Sequence, residues 1–144
     1  MATLQALQAT YGTNANLTTA LPIDDTVPTS SEGTQVLSQA ITLASSANKV
    51  LIEVSLWGRA NAPWGAALFR RTTCLQAQAQ LLEEDDMGGL IVFDLLDTPG
   101  SVGPHTYSVR AGAHGGATLR LNGNETARRF GGASKCTLTL REIG

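Results

Sequence analysis

Charge, aromatic rings and cysteine are all scarce in this chain. Charged residues fill 15% of its 144 positions, against about 25% in an average globular domain. Ten Lys and Arg against twelve Asp and Glu give a net charge of −2. The basic excess of a nucleic-acid binder is therefore missing, and so is its interleaving of cations with aromatics. Two Cys are too few for a disulfide-held mini-protein. Cys74 and Cys136 read as small buried thiols in a reducing compartment, although spacing alone leaves a disulfide between them open. No apolar run approaches the 18 or so residues of a membrane span. Met1 to Ala20 has no basic start and no long apolar stretch, so it does not read as a secretion signal. A hydrophobic share of 42% excludes a disordered chain.

Motifs of catalysis are scarce as well. The Gly-x-Ser-x-Gly string of a nucleophile elbow does not occur. Gly131-Gly-Ala-Ser-Lys135 has its Gly and Lys in the wrong order for a phosphate loop. His105, His114, Cys74 and Cys136 show no paired zinc spacing. Asp94 and Asp97 are the one strand-associated pair of acids that a glycan-cleaving enzyme could use. At i, i+3 on a strand they point to opposite faces. No catalytic residue and no cofactor are therefore expected. Glu83, Glu84, Asp85 and Asp86 form a dense acidic run that reads as a solvated turn. Like the Asp24-Asp25 pair, which also reads as a solvated turn, they are candidates for a hard cation, without the alternating pattern of a calcium loop.

What the chain does have is Ala and Leu (19 each), 17 Thr and 15 Gly, with two Lys and six Glu. That is poor helix composition and suits short strands joined by turns. Lys49 to Gly58 alternates cleanly. Val50, Ile52, Val54 and Leu56 face one way, and Leu51, Glu53, Ser55 and Trp57 face the other. Further strands are expected at 35–43, 66–72, 73–79, 90–96, 105–111, 117–121 and 136–143. Leu90 to Leu96 is nearly continuous and apolar, so it reads as central. The breaks carry Gly, Pro, Asn or Asp. A short helix over 76–86 is the competing reading of that stretch. Residues 1–20 read as an N-terminal arm or stalk connection, with at most one or two helical turns at Leu4 and Leu7. Residues 21–144 form the body. The pattern predicts an all-β, jelly-roll-like antiparallel β-sandwich. Second faces carrying Leu51, Trp57 or Tyr107 would be left partly exposed in a lone subunit, so burial against identical copies is expected.

Several strings together resemble a β-sandwich domain of tailed-bacteriophage fibre and virion-surface proteins. They are Leu21-Pro-Ile-Asp-Asp-Thr26, Thr29-Ser-Ser-Glu-Gly-Thr34, Ala67-Leu-Phe-Arg70 and Leu96-Asp-Thr-Pro-Gly100. Thr106-Tyr-Ser-Val-Arg-Ala-Gly112, Leu119-Arg-Leu-Asn-Gly123, Arg129-Phe-Gly-Gly-Ala133 and Thr137-Leu-Thr-Leu-Arg-Glu-Ile143 follow in order. The resemblance implies a homotrimeric, non-enzymatic virion component, made in the host cytoplasm and carried at a fibre tip or on the particle surface. It brings no catalytic residues with it. Partners would be copies of the chain, other virion proteins through the N-terminal arm, and a host-surface glycan or protein. No nucleic acid and no membrane insertion are expected. Loops would make the host contact, with Asn61, Trp64, His114 and Asn122 as candidates. A capsid decoration or connector protein without receptor binding is the alternative.

Overall fold

Alternation decides which side of each strand is buried. In the computed structural model, which describes residues 2–81, 88–124 and 127–144, Val50, Ile52, Val54 and Leu56 are at most 1% exposed. Leu51, Glu53, Ser55 and Trp57 on the other side are half-buried. They lie on strand β4 (Lys49–Arg59), the centre of the first sheet. Its neighbours are β10 (Cys136–Ile143) on one edge and β7 (Gly88–Asp97) on the other, both antiparallel. β1 (Thr3–Tyr11) pairs with the far side of β10. Past the end of β10, the short β9 (Leu119–Leu121) takes over the edge of β4 at Gly58 and Arg59 and carries β2 (Asn16–Leu17).

The second sheet runs β3 (Thr34–Ile41), β8 (His105–Ala113), β5 (Trp64–Arg70) and β6 (Thr73–Gln80), all antiparallel. Pairing is nested along the chain: β1 with β10, β3 with β8, β4 with β7 and β5 with β6. The core lies between the sheets. Ile52, Val54, Leu56, Leu138 and Leu140 from one layer meet Trp64, Leu68, Tyr107 and Val109 from the other. The expected all-β antiparallel sandwich is present, and all eight expected strands appear. Residues 73–80 are strand, not helix.

Three expectations are corrected. Leu4 and Leu7 lie in no helix. Residues 3–11 run extended along β10, and both β1 and β2 hydrogen-bond to strands beyond residue 21. Leu90 to Leu96 is an edge strand, not a central one, because among the described residues β4 is its one ladder partner. Its continuous apolar string fills the core with Ile91 and Phe93. It leaves Leu90, Val92 and Leu96 at 55%, 61% and 45% exposure outside. Tyr107 is fully buried between the sheets rather than on a second face, since its position in β8 shares parity with Val109 and Ala111.

The outer face of the second sheet is not bare. The segment after β2 crosses it, with the Leu21 N–H donating to the Ala113 carbonyl at 3.1 Å. Arg110 clamps the far end of that segment, donating to the Glu32 and Gly33 carbonyls at 2.7 and 3.0 Å. Gly112 permits the crossing, because a Cβ there would sit 2.7 Å from the Thr19 carbonyl oxygen. Gly65 on β5 lies under this segment, since a Cβ there would meet Ile23 Cδ1 at 3.0 Å, and Ala67 and Phe69, of the same parity, are buried as well although they face away from the inter-sheet core.

Candidate recognition surface at the loop end

The strand registers put the connections after β1, β4 and β8, and the segment before β10, at one end of the sandwich. Asn61 sits exposed in the turn between β4 and β5. His114, the first residue after β8, is also exposed. Its backbone N–H donates to the Pro63 carbonyl at 2.8 Å, which joins the two loops. Its Nδ1 accepts from the Ile23 N–H at 2.9 Å, so in the neutral imidazole the ring proton is on Nε2. Asn61 and His114 thus share one surface.

The other two candidates do not. Trp64 has no exposed surface. It opens β5, and its parity with Ala66 and Leu68 turns the indole into the core, where its N–H has no hydrogen-bond partner among the described residues. Asn122 is 1% exposed and works as a clamp. Its Nδ2 donates to the Tyr11 and Thr13 carbonyls at 2.9 and 3.1 Å, while its backbone N–H donates to the Trp57 carbonyl at 2.9 Å. Its φ of 60° is left-handed, a region that Asn tolerates better than most residues. Asn122 is among the residues expected in a host-contact loop. Long-range bonds to residues 11 and 13 hold Asn122 buried, and local sequence carries no sign of them.

Two concavities flank this end. On the second-sheet side, a cavity of about 230 Å³ lies between Leu21–Asp24 and the strand residues Gly65, Ala77 and Ala79. On the first-sheet side, one of about 260 Å³ is lined by Trp57, Gly58, Arg59, Gly88, Gly123, Asn124 and Arg129. Trp57 and Arg59 share the outward parity of β4, and Gly88 stands opposite Arg59 without a side chain. The Arg129 N–H donates to the Asn122 carbonyl at 3.0 Å, which holds the arginine's loop beside β4. The next residue, Phe130, is 78% exposed at a φ of 59°. For a bulky side chain that backbone costs about 1–3 kcal/mol. Sequence reading singled out Trp57 but not Arg129, because 72 positions separate them and only the β4–β9 register brings them together.

The acidic candidates fall elsewhere. Glu83, Glu84, Asp85 and Asp86 lie outside the described residues. Among the described residues no cluster of three His, Cys, Asp or Glu could hold a metal. Asp94 is exposed on the outer face of β7, opposite Glu53. Asp97, of opposite parity, turns inward and accepts from Arg70 and Tyr107. The two acids point to opposite sides of the sheet, as their spacing requires. Cys74 and Cys136 are free thiols. Cys136 is buried and Cys74 half-buried, and burial raises the pKa of both. Among the described residues, no helix is long and apolar enough to cross a membrane.

No family model matches the chain, and no curated protein does. Solved structures similar to it include that of the infectious bursal disease virus Gt strain, with a TM-score of 0.43 at 15% identity. This match covers 98% of the present chain and 38% of the viral one. Another is the infectious bursal disease virus VP2 subviral particle, with a TM-score of 0.42 at 12% identity, covering 97% and 37%. The chain spans less than two fifths of the length of those proteins, and a likeness of this degree leaves its function open.

Proposed function

We propose that this chain is a bacteriophage virion structural protein, a jelly-roll domain that assembles as a homotrimer at a tail fibre or fibre tip and meets the host surface through its loops. The observation that carries the reading is the outer face of β4 and β7. Leu90, Val92 and Leu96 stand exposed beside half-buried Leu51 and Trp57 on one continuous face. An apolar patch of this kind favours association, at about 25 cal/mol per Å² removed from water. Arg141 pairs with Glu53 on the same face, giving that face both charge signs for docking of identical surfaces. The nested strand pairing supports the jelly-roll connectivity. The exposed pair Asn61 and His114 supports a contact made by loops.

A capsid decoration or connector protein is the second reading. It relied on residues 1–20 as a docking arm for other virion proteins. The pairing of β1 with β10 favours the first reading over it. A glycan-cleaving enzyme would need two carboxylates across a groove, and Asp94 and Asp97 do not share a face. Labelling particles with an antibody raised against the chain tests the placement. Label at fibre ends is expected, and label spread over the capsid shell would favour decoration instead.

A further inference from the structure

Phe130 is a large apolar side chain that its own subunit does not use. It is 78% exposed and joins no hydrophobic cluster. Phe130, Gly131 and Gly132 all have positive φ, at 59°, 61° and 94°. Glycine adopts that region freely and phenylalanine does not. The turn is nevertheless pinned on both sides. The Arg129 N–H donates to the Asn122 carbonyl and the Ala133 N–H to the Phe130 carbonyl, each at 3.0 Å. Strain of this kind persists where the surroundings over-determine it, and it clusters at functional sites. A ring carried on a pinned backbone also loses less freedom when it docks.

A matching concavity belongs to the other sheet. The cavity of about 230 Å³ beside β6 is walled by Leu21, Pro22, Ile23, Pro28, Ala77 and Ala79. It is smaller than a drug-sized pocket, about 300–1,000 Å³, and suits a single ring. Val27, 72% exposed, adds apolar surface between Thr26 and Pro28 of the lining. The charges match as well. Arg128 and Arg129 precede Phe130 and are exposed, and among the described residues neither forms an ion pair. Asp24 lines the cavity, and Asp25 is exposed next to it.

We propose that Phe130 of one copy docks in this cavity of the next copy, with Arg128 and Arg129 set against Asp24 and Asp25. Aromatic side chains and arginines are the residue types enriched in interface cores. A projection in the turn before β10 and a cavity beside β6 lie at different places on one chain, so the contact is head-to-tail. Such a contact closes into a ring when the rotation between copies permits. The inference rests on the association reading above, and it adds a second contact to the apolar face of β4 and β7.

Two variants separate the halves of the contact. Phe130→Gly removes the ring and relieves the backbone, and Ala79→Leu fills the cavity from an exposed position. In sedimentation equilibrium of the full chain at 0.15 M salt, each variant alone should associate at least tenfold more weakly than the parent, with circular dichroism unchanged. Mixed in equal amounts, at a concentration where neither associates alone, they should form one-to-one dimers. Ala79→Leu keeps the ring, and Phe130→Gly keeps the cavity. A mixture that stays at the mass of one subunit overturns the proposal, and so does a Phe130→Gly chain that associates as the parent does. If Leu90→Lys/Val92→Lys dissociates the trimer while Phe130→Gly and Ala79→Leu leave it whole, the association reading survives and this contact does not.

Discussion

The Tyr107 hydroxyl donates to Asp97 Oδ2 at 2.6 Å, and Arg70 reaches the same oxygen at 2.5 Å. This ties the start of β8 and the end of β5 to the end of β7, across the two sheets. Burial, and next the hydrogen bond to Asp97, raise the Tyr107 pKa above 10.0. A raised pKa means that the folded state keeps its proton longer. The stabilisation is complete below pH of about 10 and fades as pH rises above it. Tyr107→Phe should cost about 1–2 kcal/mol at pH 7, because Asp97 keeps Arg70. It should also flatten the loss of stability above pH 10. Urea unfolding at pH 7, 9 and 10.5 measures both.

Glu142 behaves with the opposite sign. Its carboxylate is enclosed by the Asn48 amide at 2.8 Å, the Gln5 amide at 2.7 Å and the Ala44 N–H at 2.6 Å. These bonds, led by Asn48, hold its pKa below 4.5. The folded state therefore releases this proton earlier, and its contribution is present above pH of about 4.5 and lost as pH falls through the lower folded value. Glu142→Gln should lower the urea midpoint at pH 7, and the gap to the parent should shrink toward pH 3. A gap that does not change with pH contradicts the assignment.

Asn122 separates backbone from side chain. Asn122→Ala loses two hydrogen bonds and forces alanine to a φ of 60°, a cost of roughly 2–4 kcal/mol. Asn122→Gly relieves the backbone part only. Glycine should recover about 1 kcal/mol of the loss, and thermal melts of the three proteins decide it.

Much of the architecture was legible because period two is a local signal. Val50 to Leu56 and Leu138 to Leu140 declare their buried sides without knowing their partners. What stayed hidden was non-local. Nothing near Leu90 says that, among the described residues, one neighbouring strand alone pairs with it. Trp64 and Asn122 sit in loop-like wording, Asn61-Ala-Pro63 and Asn122-Gly-Asn124, yet strand parity and a clamp to Tyr11 bury them. Of the four candidate contacts, Asn61 and His114 lie at the surface because short polar turns after β4 and β8 carry them there.

That split gives a functional test. Asn61→Ala and His114→Ala should lower host adsorption by severalfold and leave the melting temperature within about 2 °C, as surface changes do. Trp64→Ala should cost about 3–5 kcal/mol and act through folding. Trp64→Phe, which removes the indole N–H that lacks a partner among the described residues, should be far milder. Adsorption assays paired with melts separate the two classes.

The association claim is tested most directly by sedimentation equilibrium of the chain and of its Leu90→Lys/Val92→Lys variant. Both side chains are more than half exposed, so the variant should keep its fold. The account predicts a parent mass three times the 15.1 kDa of one chain and a variant mass of one. A parent that stays a soluble single subunit at all concentrations would contradict it.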